Sequence, residues 1–481
     1  MTSPKTPAEA PTIVWFRQDL RLADNPALVA AEGPILPVYI LDETPGVRPM
    51  GGASLWWLDK SLRALDRGLR ERGSRLILRR GPAAEVLECL IEETGAGTVL
   101  WNRLYDAASI GRDKAIKADL SGKGVEVRSC NAALLNEPWE IANGSGDPYK
   151  VFTPYWRAAR GRVGDFVLHR APAALPAPAA WPRSEDIDDW TLHPTKPDWS
   201  SGFGIFTPGE DGAAKALADF LDNAIRDYSE DRDRPDRPGT SRLSPHMHFG
   251  EIGPRQIWRA AHDAEARGAP GRQIEKFLSE VGWREFHHHL LFHNPDLPTR
   301  NFRPEWDGFE WLGDDDGFEA WARGRTGFPI VDAGMRELWE TGFMHNRVRM
   351  IVASFLIKDL LIDWRRGEAW FWDTLVDADI AQNAANWQWV AGSGADAAPY
   401  FRIFNPVSQG QKFDPDGAYV RRWVPELARL PAGLIHAPWT ASAAELARYG
   451  LTLGAGYPRP IVDHAKARER ALAAYAELKA A

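Results

Sequence analysis

The sequence predicts an α/β N-terminal unit with a doubly wound parallel sheet, joined by a long connector to an all-α C-terminal half. Three observations carry this. Short apolar runs rich in β-branched residues alternate with helical patterns over 1–130, a Pro-rich and strand-poor stretch fills 131–210, and apolar residues keep helical spacing through 211–481. A chain of 481 residues also exceeds the roughly 250 to 300 at which a single core stops growing, so more than one core is expected.

After a short Pro/Ala-rich tail, strands are expected at Thr12 to Phe16, Ile35 to Leu41, Arg75 to Leu78, Thr98 to Trp101 and Val125 to Arg128. Helical patterns such as Leu55 to Arg72 and Ala83 to Thr94 lie between them. Ligands of such sheets sit beyond the carboxyl ends of the strands. No GxGxxG follows the first strand, which argues against a pyrophosphate site of the nicotinamide-dinucleotide type there. FRQDLRLADNPAL follows instead, and Asp24 or Asn25 before Pro26 reads as a helix start. In 131–210 the segments APAALPAPAAWP and HPTKPDWSSGFG show no amphipathic period; they read as a connector wrapped on the surface or partly mobile. Helices are expected over 213–228, 273–293, 317–324, 331–340 and 346–363. The last should stop at Arg365-Arg366-Gly367, where cations suit a helix C-terminus and glycine the left-handed cap.

Composition narrows the function. The chain has 22 Trp, far more than packing recruits, since each indole N–H needs a partner; the surplus favours stacking surfaces for aromatic ligands, or electron relays. A net charge of −8 argues against a general nucleic-acid coat, although one basic face is compatible with it. Only Cys89 and Cys130 are present, so neither a disulfide framework nor an all-Cys iron–sulfur cluster is expected. MTSPKTPAEAPT lacks an apolar signal core and no run is long enough to span a membrane, which points to a cytoplasmic protein.

Chemistry is concentrated in Asp377 to Pro406, DADIAQNAANWQWVAGSGADAAPYFRIFNP. Acids, amides and indoles are crowded there between apolar flanks, and buried polar groups need partners, so a ligand with many polar edges is expected. A helix over Asp379 to Trp387 would align Asp379, Asn383 and Trp387 on one face; the plainer alternative is a capping Asp and a core Trp. Gly392, Gly394 and the alanines around Asp396 would let backbone approach a ligand. Upstream, Tyr228 precedes a charged run and Gly239-Thr240-Ser241-Arg242-Leu243-Ser244-Pro245. That cluster suits either a phosphate or ordinary N-capping. On Phe277 to His293 one face presents Glu280, Trp283, Arg284 and His287, while Leu278, Val281 and Leu290 can enter the core; Glu280 either pairs with Arg284 or waits for a ligand. His289 and His293 have zinc-pair spacing but no HExxH frame and no obvious third ligand, so no metal is expected. Asn346, Arg349, Met350 and Ala353 share a face of the 346–363 helix, from which Arg349 could reach Asp377.

FRQDLRLADNPAL, TSRLS, EVGWREF, GRTGFPIVDAGMRELWETGFMHNRVRMIVASFLIKDLLIDW and the Asp377 to Pro406 segment together resemble the photolyase/cryptochrome family over nearly the whole chain. Among its members, bacterial cyclobutane pyrimidine dimer (CPD) photolyases are most similar, and GGASLWWL with AGSGADA resembles the class III branch. The resemblance implies a Rossmann-like antenna-binding domain over 1–130, a connector over 131–210 and a helical FAD-binding catalytic domain over 211–481. It implies that Tyr228, Thr240, Ser241, Arg242, Leu243 and Ser244 line the flavin phosphates and ribityl chain. Arg349, Asp377, Asp379 and Asn383 would surround the isoalloxazine, with Asn383 at its N5 edge. A flipped-out dimer would meet Glu280, Trp283, Asn346, Met350 and Trp389. Trp387, Trp364 and Trp311 would relay electrons to oxidised flavin, and Arg232, Arg284, Arg347 and Arg402 would face DNA phosphates. The implied antenna is 5,10-methenyltetrahydrofolate, near the end of the second strand and the GGASLWWL helix. Light-driven repair of DNA containing pyrimidine dimers is the function implied, by a monomer with no obligate protein partner and no membrane. The alternative is a cryptochrome-type photoreceptor without repair activity, against which the dimer-pocket residues are all present and no long extension follows Ala481.

Overall fold

The structure is a computed structural model that describes residues 10–195, 197–396 and 401–480. Thus most of the N-terminal tail, and Ala397 and Ala398 of the predicted close-approach segment, lie outside the described residues.

Five strands form one parallel sheet: β1 (Thr12–Phe16), β2 (Ile35–Asp42), β3 (Ile77–Gly81), β4 (Thr98–Asn102) and β5 (Glu126–Cys130), in the order β3-β2-β1-β4-β5. The central strand β1 and its neighbour β2 are apolar on both faces, as helices on both sides require. These helices are α1 (Pro26–Val29), α2 (Gly52–Arg70), α3 (Ala83–Thr94) and α4 (Ala107–Gly122). Asn25 caps α1, its side chain accepting from Leu28 N, with Pro26 at the first helical position. β3 runs two residues later than the sequence suggests, because it pairs with the far end of β2, from Val38↔Ile77 to Asp42↔Gly81.

The connector is neither structureless nor loose. It contains α5 (Phe152–Arg162), whose Tyr155, Trp156 and Ala159 are buried, and it seals the sheet side with Leu175, Trp190, Leu192 and Phe203. The sequence does not mark this helix. Three buried positions in eleven residues are too short a stripe to register as a period, and tertiary docking makes the helix.

The C-terminal half is helical. In order come α6 (Glu210–Asp222), α7 (Tyr228–Asp231), α8 (Ser244–His248), α9 (Pro254–Ala266), α10 (Gly271–His293), α11 (Asp315–Ala322), α12 (Pro329–Thr341), α13 (Asn346–Ser354), α14 (Trp364–Thr374) and α15 (Ile380–Ala391), with shorter helices beyond and a final one at His464–Ala480. The predicted stop at Arg365-Arg366-Gly367 is corrected. α13 runs on as a single π-helical turn over Phe355–Asp359, Leu361 takes φ +52, and Asp363 accepts from Arg365 N at 3.0 Å to start α14. Those arginines therefore sit at a helix beginning, because the nearby cap acid outcompetes the cation preference for C-termini. No described helix is long and apolar enough to cross a membrane.

Candidate active site among the helices

A cavity of about 500 Å³ opens between α7, α8, α10, α13 and α15, within the range of cofactor sites. It has a polar wall and an aromatic wall.

The polar wall is built from α8, α13 and α15. Asp377 lies just before α15 and its Oδ2 accepts from Arg349 Nη2 at 2.8 Å and from the Ser244 hydroxyl at 2.6 Å. Arg349 is itself aimed by donating Nε to Met344 O at 2.7 Å. Asp379 is the N-cap of α15, accepting from Ala381 N at 3.0 Å and Gln382 N at 2.9 Å, while His248 Nδ1 and His288 Nε2 stand 3.6 and 3.9 Å from its Oδ2. Burial would raise the Asp379 pKa, but the polar contact from His248 and the Arg284 charge oppose it and hold the carboxyl below its ordinary range. Burial pushes His287 down to about 4 and His288 to about 3, so both imidazoles are neutral near pH 7. Asn383 stands one turn beyond the Asp379 cap, and its Nδ2 donates to Glu368 O at 2.9 Å and Oε1 at 2.8 Å. With both amide hydrogens taken by Glu368, the oxygen is the group left for the cavity.

Among the described residues, two buried polar atoms on this wall make no hydrogen bond within the protein: Asp377 Oδ1, and His248 Nδ1, which still faces Asp379 Oδ2 at 3.6 Å. Native structures rarely leave such an atom unpaired, so the Asp377 oxygen awaits a ligand's polar edge.

The aromatic wall comes from α10, α13 and the end of α15. Trp283 has one face stacked on Phe152 at 3.8 Å and 8°, which leaves the other for the cavity. Trp389 is fixed by its Nε1 donating to Asp396 O at 3.1 Å. Asn346, Met350 and Glu280 complete the lining. Of the two alternatives the sequence leaves for Glu280, the pair with Arg284 is not formed. Glu280 takes Arg232 Nη1, with Lys276 Nζ at 3.5 Å, while Arg284 donates to Ala133 O at 2.6 Å. Residues four apart on one helix are neighbours, but a partner from another segment reached Glu280 first. Arg347 donates Nη2 to Asp233 at 2.8 Å and lies 4.5 Å over the Phe413 ring.

The cavity therefore gathers Tyr228, Arg232, Ser241, Leu243, Ser244, Glu280, Trp283, Arg284, Asn346, Arg347, Arg349, Met350, Asp377, Asp379, Asn383, Trp387 and Trp389. Thr240, Arg242, Trp311, Trp364 and Arg402 stand outside its lining. Arg242, at φ +51, lies 5.9 Å over Phe343, and Arg402 borders a small cleft beside Trp389. Trp364 is wholly buried with its Nε1 on Asn301 Oδ1 at 3.0 Å, and Trp311 packs at 4.4 Å on Phe309. Trp387 has Phe371 at 5.0 Å and Trp321 at 6.2 Å as ring neighbours.

Gly392 and Gly394 do not bring backbone to this cavity. A Cβ on Gly392 would sit 3.0 Å from Trp306 and one on Gly394 2.8 Å from Trp389 N, so they close the C-terminal turn of α15. His289 accepts from Tyr149 N at 3.1 Å and donates to Pro138 O at 3.2 Å, and among the described residues no group of three His, Cys, Asp or Glu could hold a metal. Sequence reasoning missed His248, Gln382 and Glu368. The signal for Glu368 was an acid on the buried face of an aromatic helix, WRRGEAWFW.

Residues 12–179 match the family described as "DNA photolyase" and residues 277–477 the one described as "FAD binding domain of DNA photolyase". A deoxyribodipyrimidine photo-lyase from Agrobacterium fabrum (strain C58) is 56% identical over 474 residues, 98% of each chain. Cryptochrome-1 of Arabidopsis thaliana is 40% identical, covering 98% of this chain and 71% of its own. Among solved structures, a bacterial class III photolyase from Agrobacterium tumefaciens superimposes with a TM-score of 0.96 at 55% identity, over 100% of this chain and 99% of that one. A helical cage of this kind beside a parallel α/β sheet is the architecture of a flavin-dependent DNA photochemistry protein. The chain belongs to the DNA photolyase/cryptochrome family.

Proposed function

We propose that the chain is a light-driven DNA repair enzyme, a deoxyribodipyrimidine photo-lyase that splits cyclobutane pyrimidine dimers. The observation that carries this reading is the single cavity with two walls of different chemistry. The polar wall suits FAD: Arg349–Asp377, Asp379 and Asn383 would hold the isoalloxazine edges, and Tyr228, Ser241, Leu243 and Ser244 the chain toward the phosphates, with Thr240 and Arg242 flanking. Its unpartnered Asp377 Oδ1 fits a group that presents a donor edge. Bound there in its reduced form, FAD would supply light-driven one-electron chemistry, an electron lent to the lesion and returned once the two ring bonds are broken, with no net redox change.

The rest is done by the protein. Trp283 and Trp389 offer aromatic faces to a flipped-out dimer, and Glu280 and Asn346 hydrogen-bond its base edges. Arg232 holds the Glu280 carboxylate in place, and Met350 fills the remaining apolar volume. Arg232, Arg284, Arg347 and Arg402 supply positive charge around the opening for backbone phosphates, which fix register without reading sequence. Trp387, Trp364 and Trp311 serve as the route by which oxidised flavin is re-reduced. The N-terminal domain, 1–130, carries 5,10-methenyltetrahydrofolate near the α2 start; 131–210 is the connector and 211–481 the catalytic domain. The enzyme works as a monomer in the cytoplasm, without an obligate protein partner.

The test is illumination of duplex DNA containing cyclobutane dimers with the chemically reduced protein, scored by dimer content. Loss of dimers in light and none in darkness is expected. A flavin-loaded protein that leaves dimers intact in light would point instead to photoreception.

A further inference from the structure

The polar wall is braced from outside the helical half. Beyond β2 the chain sends Arg48 across to α14, where Nη1 donates to Glu368 Oε1 at 2.7 Å and Nη2 to Oε2 at 2.9 Å. A two-pronged contact of this kind fixes the carboxylate plane as well as its charge. The Glu368 side chain is 5% exposed, so Arg48 is its counter-ion in a nearly dry place. The crossing is held on both sides: the guanidinium lies 4.0 Å over the Trp372 ring, Trp372 Nε1 donates to Pro49 O at 2.8 Å, and Gly52 N donates to Asp373 Oδ1 at 2.8 Å. The same Glu368 Oε1 that takes Arg48 also takes Asn383 Nδ2 at 2.8 Å. Arg48, Glu368 and Asn383 thus form one chain of hydrogen bonds from the N-terminal domain to the cavity wall.

We propose that Arg48 and Glu368 are positioning residues that lock the Asn383 amide with its oxygen toward the cavity, so that a contact made by the N-terminal domain biases the bound flavin toward its reduced form. The proposal rests on the reading that Asn383 faces the flavin N5. An amide oxygen accepts from the N5–H of reduced flavin and faces the N5 lone pair of oxidised flavin unfavourably. Without Arg48, a buried carboxylate loses its counter-ion, with two outcomes of the same sign. If Glu368 takes up a proton, its O–H can donate to the Asn383 oxygen and turn the amide nitrogen to the cavity, where it favours oxidised N5. If Glu368 stays ionised, an uncompensated negative charge stands near a ring that gains electrons on reduction.

The test is a reductive titration of the FAD-loaded protein, with the rate of reoxidation in air, for Arg48→Ala, Arg48→Lys, Glu368→Gln and Asn383→Ala. Arg48→Ala should move the balance toward oxidised flavin by about tenfold, the worth of one hydrogen bond, which is about 30 mV for a two-electron couple. Arg48→Lys should recover only part of this, because one ammonium cannot bridge both oxygens. Glu368→Gln keeps the volume and tests the lock from the other side: Arg48 claims the Gln oxygen, the Gln nitrogen turns the Asn383 amide over, and the shift has the same sign. Arg48→Ala added to Asn383→Ala should add nothing, since the two act through one amide. An unchanged potential in Arg48→Ala and Glu368→Gln, with Asn383→Ala shifted, overturns the bracing and leaves the N5 reading standing. If Asn383→Ala is also unchanged, the N5 reading itself fails.

Discussion

In the proposed function, Glu280 is the residue on which lesion recognition turns. It is only partly exposed, at 29% of its side chain, and it already holds Arg232. Glu280→Ala should lower repair by roughly tenfold under limiting light, the order expected for losing a hydrogen bond to a charged group, while the FAD content stays that of the parent. Equal repair in the two proteins would remove Glu280 from the pocket. Some of this was readable beforehand. The Arg349–Asp377 pair was, because both residues fall in motif segments and a buried acid needs a cation. The Glu280 partner was not: periodicity reports only neighbours on one helix, and Arg232 arrives from the charged run after Tyr228. Arg48 was equally silent, since nothing local to PGVRPM marks a residue that reaches more than 300 positions along the chain.

At the scale of elements, α10 binds the connector through Glu285. This buried carboxyl accepts from Leu135 N at 2.8 Å and Asn136 N at 3.3 Å, and burial pushes its pKa up from 4.5 to about 7. A carboxyl raised in the folded state binds its proton more tightly there than when unfolded, so its contribution is fully present below about pH 4.5 and is lost as pH rises through 7. Over that window the loss is about 3 kcal/mol. Glu285→Gln keeps the acceptor and cannot ionise, so it should be more stable than the parent at pH 8 and nearly equal at pH 5, as read by urea midpoints. A constant difference across that range would contradict the assignment. The contact of α14 with α15 is equally tight. A Cβ on Gly367 would lie 2.1 Å from Trp387 Cη2, so Gly367→Ala should cost about 1–3 kcal/mol by overpacking and displace the indole from the cavity wall. A urea midpoint equal to that of the parent would show that the wall yields. The predicted stop at Gly367 failed for a related reason. Arg-Arg-Gly looks like a helix end in isolation, but Asp363 makes it a helix start, and the glycine serves packing against Trp387 rather than the chain's exit.

Over the whole molecule, the sheet strands and the main helices of the catalytic half were legible because each is a long run with one dominant period. The connector helix was not, because its apolar stripe is complete only when docked against α10. The three tryptophans proposed as a relay show the limit in another way: their indoles could be picked out from family motifs, but only Trp387 lines the cavity, while Trp364 and Trp311 are placed by packing. Trp387→Phe should slow photoreduction of oxidised flavin by at least about tenfold, and far more than it slows repair by chemically reduced protein. Equal losses would contradict a relay. The central claim is that the cavity among α8, α10, α13 and α15 is a cage for FAD. It is tested most directly by denaturing the purified protein, before and after incubation with FAD, and measuring the flavin released. One FAD per chain is predicted, whereas a colourless protein that releases none and takes up none would contradict the account.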